Sequence, residues 1–160
     1  HRAYERYVIE EAIPFIKHKT GWFDPMMTTG CSMGAYHAVN FFLQHPDVFN
    51  KVIALSGVYD ARFFIGDCLD DEAIYQNSPA DYIWNQNDGW FIDRYRNADI
   101  IVCTGLGAWE QDGLPSFYTL KEAFEHKNIP AWFAEWGYDV SHDWIWWRKQ
   151  MPYFLNQLNL

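Results

Sequence analysis

Apolar positions between Ala3 and Ile16 (Ala3, Tyr7, Val8, Ala12, Ile13, Ile16) recur at helical spacing and predict an amphipathic helix. Thr20-Gly21 and Asp24-Pro25 then break the pattern. A short strand is expected over Met26–Cys31, and a helix from Gly34 to Leu43, stopped by His45-Pro46. Val52-Ile53-Ala54-Leu55 and Ile100-Ile101-Val102-Cys103 are continuous apolar runs, the mark of strands buried on both faces. Ala131–Ala134 reads as a fourth strand. Ser116 to His126 reads as a helix opened by a capping box, with Ser116 preceding Thr119-Leu120-Lys121-Glu122. A last helix is expected from Asp143 to Leu158, kinked near Pro152.

Between these elements, residues 60–96 are rich in Asp, Asn and Pro and read as a loop-rich insertion with short helices. Strands alternating with helices predict an α/β fold with parallel strands. The chain has 160 residues, enough for one domain with its own core. Twenty-one acidic against twelve basic residues give a net charge of −9. That balance argues against nucleic acid and against an anionic membrane as partners, because both need a basic footprint. Three scattered cysteines, Cys31, Cys68 and Cys103, fit neither a disulfide framework nor a zinc site, and favour a reducing, cytoplasmic compartment. Nine tryptophans stand out, five of them between Trp132 and Trp147. They read as part of a large aromatic core, or as the lining of an apolar or sugar-stacking cleft.

Gly30-Cys31-Ser32-Met33-Gly34 fits the pattern G-x-S-x-G. A bare match arises by chance in about one chain in twenty of this length. The context adds weight, since an apolar strand precedes it and a small-residue helix start follows. That is the layout of a nucleophile elbow, in which a tight strand-to-helix turn lifts the serine hydroxyl clear of the backbone. Gly30 and Gly34 are then expected to be small because strand and helix pass closely, and the Met33 amide to point at an oxyanion. The bland alternative is a glycine-rich turn without chemistry.

A serine nucleophile needs a base. His1 and His18 read as surface positions, His37 as a packing residue, and His45 and His126 as helix-end cations. His142 follows the last strand and precedes the last helix, which suits the chain order serine, acid, histidine. The acid is expected in the loop after the preceding strand, where Glu110 is the first choice and Asp112 the alternate. No metal-ligand spacing such as H-E-x-x-H occurs, so no metal or cofactor is implied.

The residues around these positions resemble one family. Gly30-Cys31-Ser32-Met33-Gly34-Ala35-Tyr36-His37-Ala38 is similar to the elbow of the esterases that include S-formylglutathione hydrolases (esterase D), feruloyl and acetyl-xylan esterases, enterochelin esterases and antigen 85 mycolyltransferases. His45-Pro46-Asp47-Val48-Phe49, Ser56-Gly57, Asn77-Ser78-Pro79 and His142-Asp143-Trp144 with Trp147 resemble further family motifs, in order, over nearly the whole chain. The resemblance implies an α/β-hydrolase fold, here its C-terminal part with about four parallel strands and flanking helices. It implies Ser32 as nucleophile and His142 as base, and favours Glu110 as acid. Ala108 stands where other members carry an Asp, so the acid is less sharply marked than the serine. The family has several strands before the elbow strand, whereas this chain has one helix there. The expectation is the C-terminal two-thirds of a longer protein, with the second oxyanion donor in the remainder.

The resulting expectation is a serine carboxylic-ester hydrolase acting on a small-molecule ester through an acyl-enzyme, with Trp109 and Trp144 as candidate substrate walls. Acyl transfer to a sugar or thiol, and a non-catalytic binding domain, are the alternatives. Homo-oligomerisation stays open.

Overall fold

The computed structural model describes residues 2–65 and 71–158. Cys68, Asp67 and Asp70 of the insertion lie outside the described residues. The chain opens with α1 (Arg2–Tyr7), a π-helical stretch (Val8–Ala12) and α2 (Ile13–Thr20), which Gly21 ends in a left-handed conformation at φ 70°. The π widening precedes Pro14. A proline there removes a donor and crowds the carbonyl four residues back, and a wider turn relieves that crowding.

Four parallel strands follow: β1 (Met26–Cys31), β2 (Phe49–Leu55), β3 (Asp99–Thr104) and β4 (Trp132–Glu135). They lie side by side in chain order, so β1 and β4 are the edges. The register sets Cys31 opposite Leu55, Leu55 opposite Cys103, and Cys103 opposite Ala134. The carboxyl ends of β1, β2 and β3 therefore line up, and it is beyond such ends that open α/β sheets build their sites.

The apolar runs split by alternation. Val52, Ala54, Ile100 and Val102 pack into one core with α3 (Met33–Gln44) and α8 (Leu114–His126). Ile53, Leu55, Ile101 and Cys103 pack into a second core with Trp147 and Phe154 of α9 (Trp144–Leu155). A strand sandwiched between two helical layers has no polar face, which is why the alternating pattern is missing from it. Between β2 and β3 the chain forms short helices, α4 (Arg62–Ile65), α5 (Asp71–Tyr75), α6 (Pro79–Tyr82), a 3-10 turn (Ile83–Asn85) and α7 (Gly89–Arg96). Among the described residues no helix is long and apolar enough to cross a membrane.

Three sequence expectations need correction. The capping box at Ser116 does not form: α8 begins at Leu114 with Pro in its first turn, and Ser116 is buried within it. The Ser116 hydroxyl instead accepts from the Tyr59 amide at 2.8 Å and donates to the Gly113 carbonyl at 3.0 Å. Helix α9 ends at Leu155, three residues past Pro152, not at Leu158. The tryptophans do not form the core. Of the tryptophans only Trp147 is buried, and the most deeply buried rings are Tyr59, Tyr95, Phe42, Phe117, Phe124 and Phe154. Trp132 and Trp136 instead pack edge-on or tilted against Tyr153 and Phe154 beside the edge strand β4.

Candidate active site

Strand β1 passes into α3 through a single residue, Ser32, at φ 56° and ψ −124°. Such a conformation is costly for a non-glycine residue and persists only where the surroundings enforce it. Here the Ser32 amide donates to the Leu55 carbonyl at 2.9 Å, while the Ser32 carbonyl accepts from the Ala35 amide at 2.9 Å. Strand and helix meet so tightly that a Cβ on Gly30 would stand 2.2 Å from the Gly34 backbone. The expectation for Gly34 itself needs correction, because a Cβ there meets nothing within 4 Å. The closeness is all on the Gly30 side. Met33 begins α3, so its amide has no intrahelical acceptor and faces outward at the positive end of the helix.

Two loops carry the other polar groups. The loop after β3 holds Glu110, which is 2% exposed, and Trp109, which is 83% exposed at φ 67°. The left-handed turn at Trp109 sends one side chain out and the next one in. The loop after β4 holds His142. The loops are bonded together: the Gly107 amide donates to the Val140 carbonyl and the His142 amide to the Ala108 carbonyl, both at 2.9 Å. A Cβ on Gly107 would lie 2.6 Å from the Val140 oxygen, so only glycine permits this crossing. Asp143 caps α9 by accepting from the Ile145 amide, which anchors the residue beside His142.

The result is one line of contacts. His142 Nε2 lies 2.8 Å from Ser32 Oγ, and His142 Nδ1 lies 3.4 Å from Glu110 Oε2. Glu110 Oε1 accepts from the Ser56 hydroxyl at 2.7 Å, and Thr104 Oγ1 approaches Oε2 at 3.4 Å. A carboxylate this buried requires such partners to offset its desolvation. Asp112, the alternate acid, is exposed and has no such contact with His142. Trp147 places its ring edge-on to His142 at 5.0 Å and donates its N–H to Ser56 Oγ at 3.0 Å.

The hollow over Ser32 has a volume of about 200 Å³ and is lined by His142, Glu110, Val58, Phe63, Phe64 and Trp109, among others. Trp144 is not in that lining; it packs edge-on against Trp147 at 5.1 Å. Met33 and Phe64 also line a neighbouring hollow of about 660 Å³, bordered by Tyr36, His37 and Ile74. Burial pushes the Tyr36 hydroxyl up to about 12 and lowers His37, so both are neutral near pH 7. Among the other described histidines, His37 packs on Tyr4, His45 pairs with Glu5 at 2.6 Å, His126 packs on Trp84 with the rings tilted, and His18 is exposed.

Cys31 adjoins Ser32, and burial raises its thiol pKa. It therefore stays protonated through neutral pH and does not compete as a nucleophile. Alkylation of Cys31 by iodoacetamide at pH 7.5 is expected to run at least about tenfold slower than for a free cysteine. Peptide mapping measures it, and a rate equal to that of free cysteine contradicts the burial argument.

The chain resembles known proteins along its whole length. Its fold is similar to that of a ferulic acid esterase at 22% identity and a TM-score of 0.76, covering 95% of this chain and 59% of that one. An S-formylglutathione hydrolase from Staphylococcus aureus aligns at 19% identity and a TM-score of 0.64, over 98% of this chain and 64% of that one. One from Agrobacterium tumefaciens aligns at 16% identity and a TM-score of 0.75, over 95% of this chain and 55% of that one. The chain thus spans less than two-thirds of these structures. No match was found among curated proteins. The α/β-hydrolase fold follows from these likenesses and from the parallel sheet. Residues 1–158 match the family model described as "Putative esterase", and the chain belongs to that esterase family.

Proposed function

We propose that this chain carries the nucleophile, base and acid of a carboxylic-ester hydrolase: Ser32, His142 and Glu110. The observation that carries the reading is the 2.8 Å contact from His142 Nε2 to Ser32 Oγ, made by a histidine whose other nitrogen faces a buried carboxylate. A carboxylate only accepts, so Nδ1 keeps its proton and Nε2 is left free to receive the one on Ser32. The strained elbow and the outward amide of Met33 support the same assignment.

In the proposed reaction Ser32 Oγ attacks the ester carbonyl carbon as its proton passes to His142 Nε2. The carbonyl oxygen takes up the negative charge against the Met33 amide. The C–O bond to the alcohol then breaks, the alcohol leaves with the proton from His142, and the acyl group stays on Ser32. Water repeats the sequence, giving its proton to His142 and releasing the acid. Glu110 holds the imidazole in its working tautomer and stabilises the imidazolium. The partner is a small ester. The 200 Å³ hollow with its Phe63, Phe64 and Trp109 walls suits a compact group at the reacting carbonyl, and the larger hollow past Met33 has room for the rest. The free thiols of the half-buried Cys31 and the buried Cys103 suit a reducing compartment.

Exchanging the acids tests the assignment. Glu110→Gln is expected to lower the kcat for a p-nitrophenyl ester by about 10³- to 10⁴-fold, because an amide no longer steadies the imidazolium. Asp112→Asn is expected to stay within about twofold of the parent, as exposed substitutions do. The opposite ranking would assign the acid to Asp112.

A further inference from the structure

Ser56 is buried at the carboxyl end of β2, and the proposed chemistry leaves it without a task. Its backbone sits at φ 54°, a left-handed conformation that favours glycine. A serine there carries strain that a glycine would not, and keeps a hydroxyl in exchange.

The hydroxyl has two close partners. Indole Nε1–H can only donate, so Trp147 fills a lone pair of Ser56 Oγ at 3.0 Å. Glu110 Oε1, at 2.7 Å, can only accept while ionised. Ser56 has one proton, and with the indole on its lone-pair side that proton is directed to Glu110. Thr104 is no substitute. Its hydroxyl lies nearer the Gly105 carbonyl, at 3.1 Å, than Glu110, at 3.4 Å. The short bond to the carboxylate is therefore the one from Ser56, and it is charge-assisted. With Oε1 held there, Oε2 is the oxygen left to face His142 Nδ1. The same Trp147 presses its ring edge on the His142 imidazole, so one side chain braces both ends of the pair.

We infer that Ser56 is a positioning residue for the proposed reaction, which holds Glu110 in the orientation that faces His142, with Trp147 fixing the direction of the Ser56 proton. The inference rests on the ester-hydrolase reading above and deepens it. It also gives tasks to two motif positions that the sequence singled out, Ser56 of Ser56-Gly57 and the Trp147 that follows His142-Asp143-Trp144.

The test separates the hydroxyl from the backbone. The full chain is reacted with a fluorophosphonate, and intact mass over time gives kinact and KI. Ser56→Gly takes the left-handed conformation without penalty and removes the hydroxyl together with the Cβ that carries it. It is expected to lower kinact by about tenfold to a hundredfold, the worth of a hydrogen bond to a charged group, with KI unchanged. In a Glu110→Ala background Ser56→Gly should slow the reaction no further, because its effect runs through the carboxylate. Trp147→Phe keeps an aromatic edge beside His142 and removes the N–H. It should lower kinact by roughly threefold to tenfold at unchanged KI, and keeps the test open if the glycine variant does not fold.

A labelled parent whose Ser56→Gly and Trp147→Phe variants react at the parental rate overturns the positioning role alone. So does a Ser56→Gly effect that persists undiminished without Glu110. A parent that takes up no label overturns the ester-hydrolase reading, and the positioning role falls with it.

Discussion

Ser32→Ala is expected to lower ester turnover by about 10⁴- to 10⁶-fold while leaving the fold intact, because it deletes the only atom proposed to bond with substrate. What remains would come from His142-oriented water and from the Met33 amide. The same position makes an opposite prediction for stability. Alanine keeps the strained φ of 56°, so Ser32→Ala should unfold near the parental temperature. Ser32→Gly relieves that strain and should stabilise the chain by about 1–2 kcal/mol. An inactive variant that is more stable than its parent is the signature of strain held for a reaction. Thermal unfolding of the two variants beside the parent reads it, and a destabilised Ser32→Gly would mean that the conformation is not strained.

The second large effect is on folding. Gly30→Ala would drive a methyl group to 2.2 Å from the backbone of Gly34 and 2.8 Å from the Ala35 amide nitrogen. Backbone cannot swing aside as a side-chain tip can, so α3 must move off β1. The expected cost is about 3 kcal/mol or more, a fall in Tm of roughly 10 °C for a domain of this size. Activity should fall with it, since the shift carries Ser32 away from His142. Gly34→Ala is the control. It meets open space on a helix and should be neutral or stabilising by up to about 1 kcal/mol. A Gly30→Ala variant melting within about 1 °C of the parent would contradict the close packing of the elbow.

The parts legible in the sequence are those whose cause is local. The runs at Val52–Leu55 and Ile100–Cys103 announce strands because both faces of each are covered. The G-x-S-x-G segment announces a turn because the constraint falls within five residues. The order of Ser32, Glu110 and His142 along the chain anticipates that they meet, since parallel strands bring successive carboxyl-end loops to one edge. The misreadings have causes that are not local. Ser116 resembled an N-cap, but Pro115 starts the helix earlier and Tyr59, 57 residues away, recruits the hydroxyl. Gly34 matched its motif, yet the helix turns its open side outward there. Ser56 and Trp147 drew no task from the residues alone, because their bonds reach Glu110 and Ser56 across 54 and 91 positions. Size and number suggest either core or cleft lining for the tryptophans, but sheet geometry leaves β4 at an edge, and most of them are exposed. Long-range partnership is invisible to spacing.

The central claim is that Ser32 is a nucleophile activated by His142. The most direct measurement is intact mass of the chain before and after a fluorophosphonate, with the adduct mapped by digestion. The account predicts one adduct, on the peptide that carries Ser32, and none on the Ser32→Ala variant. An unmodified chain, or an adduct on another residue that survives Ser32→Ala, would contradict it.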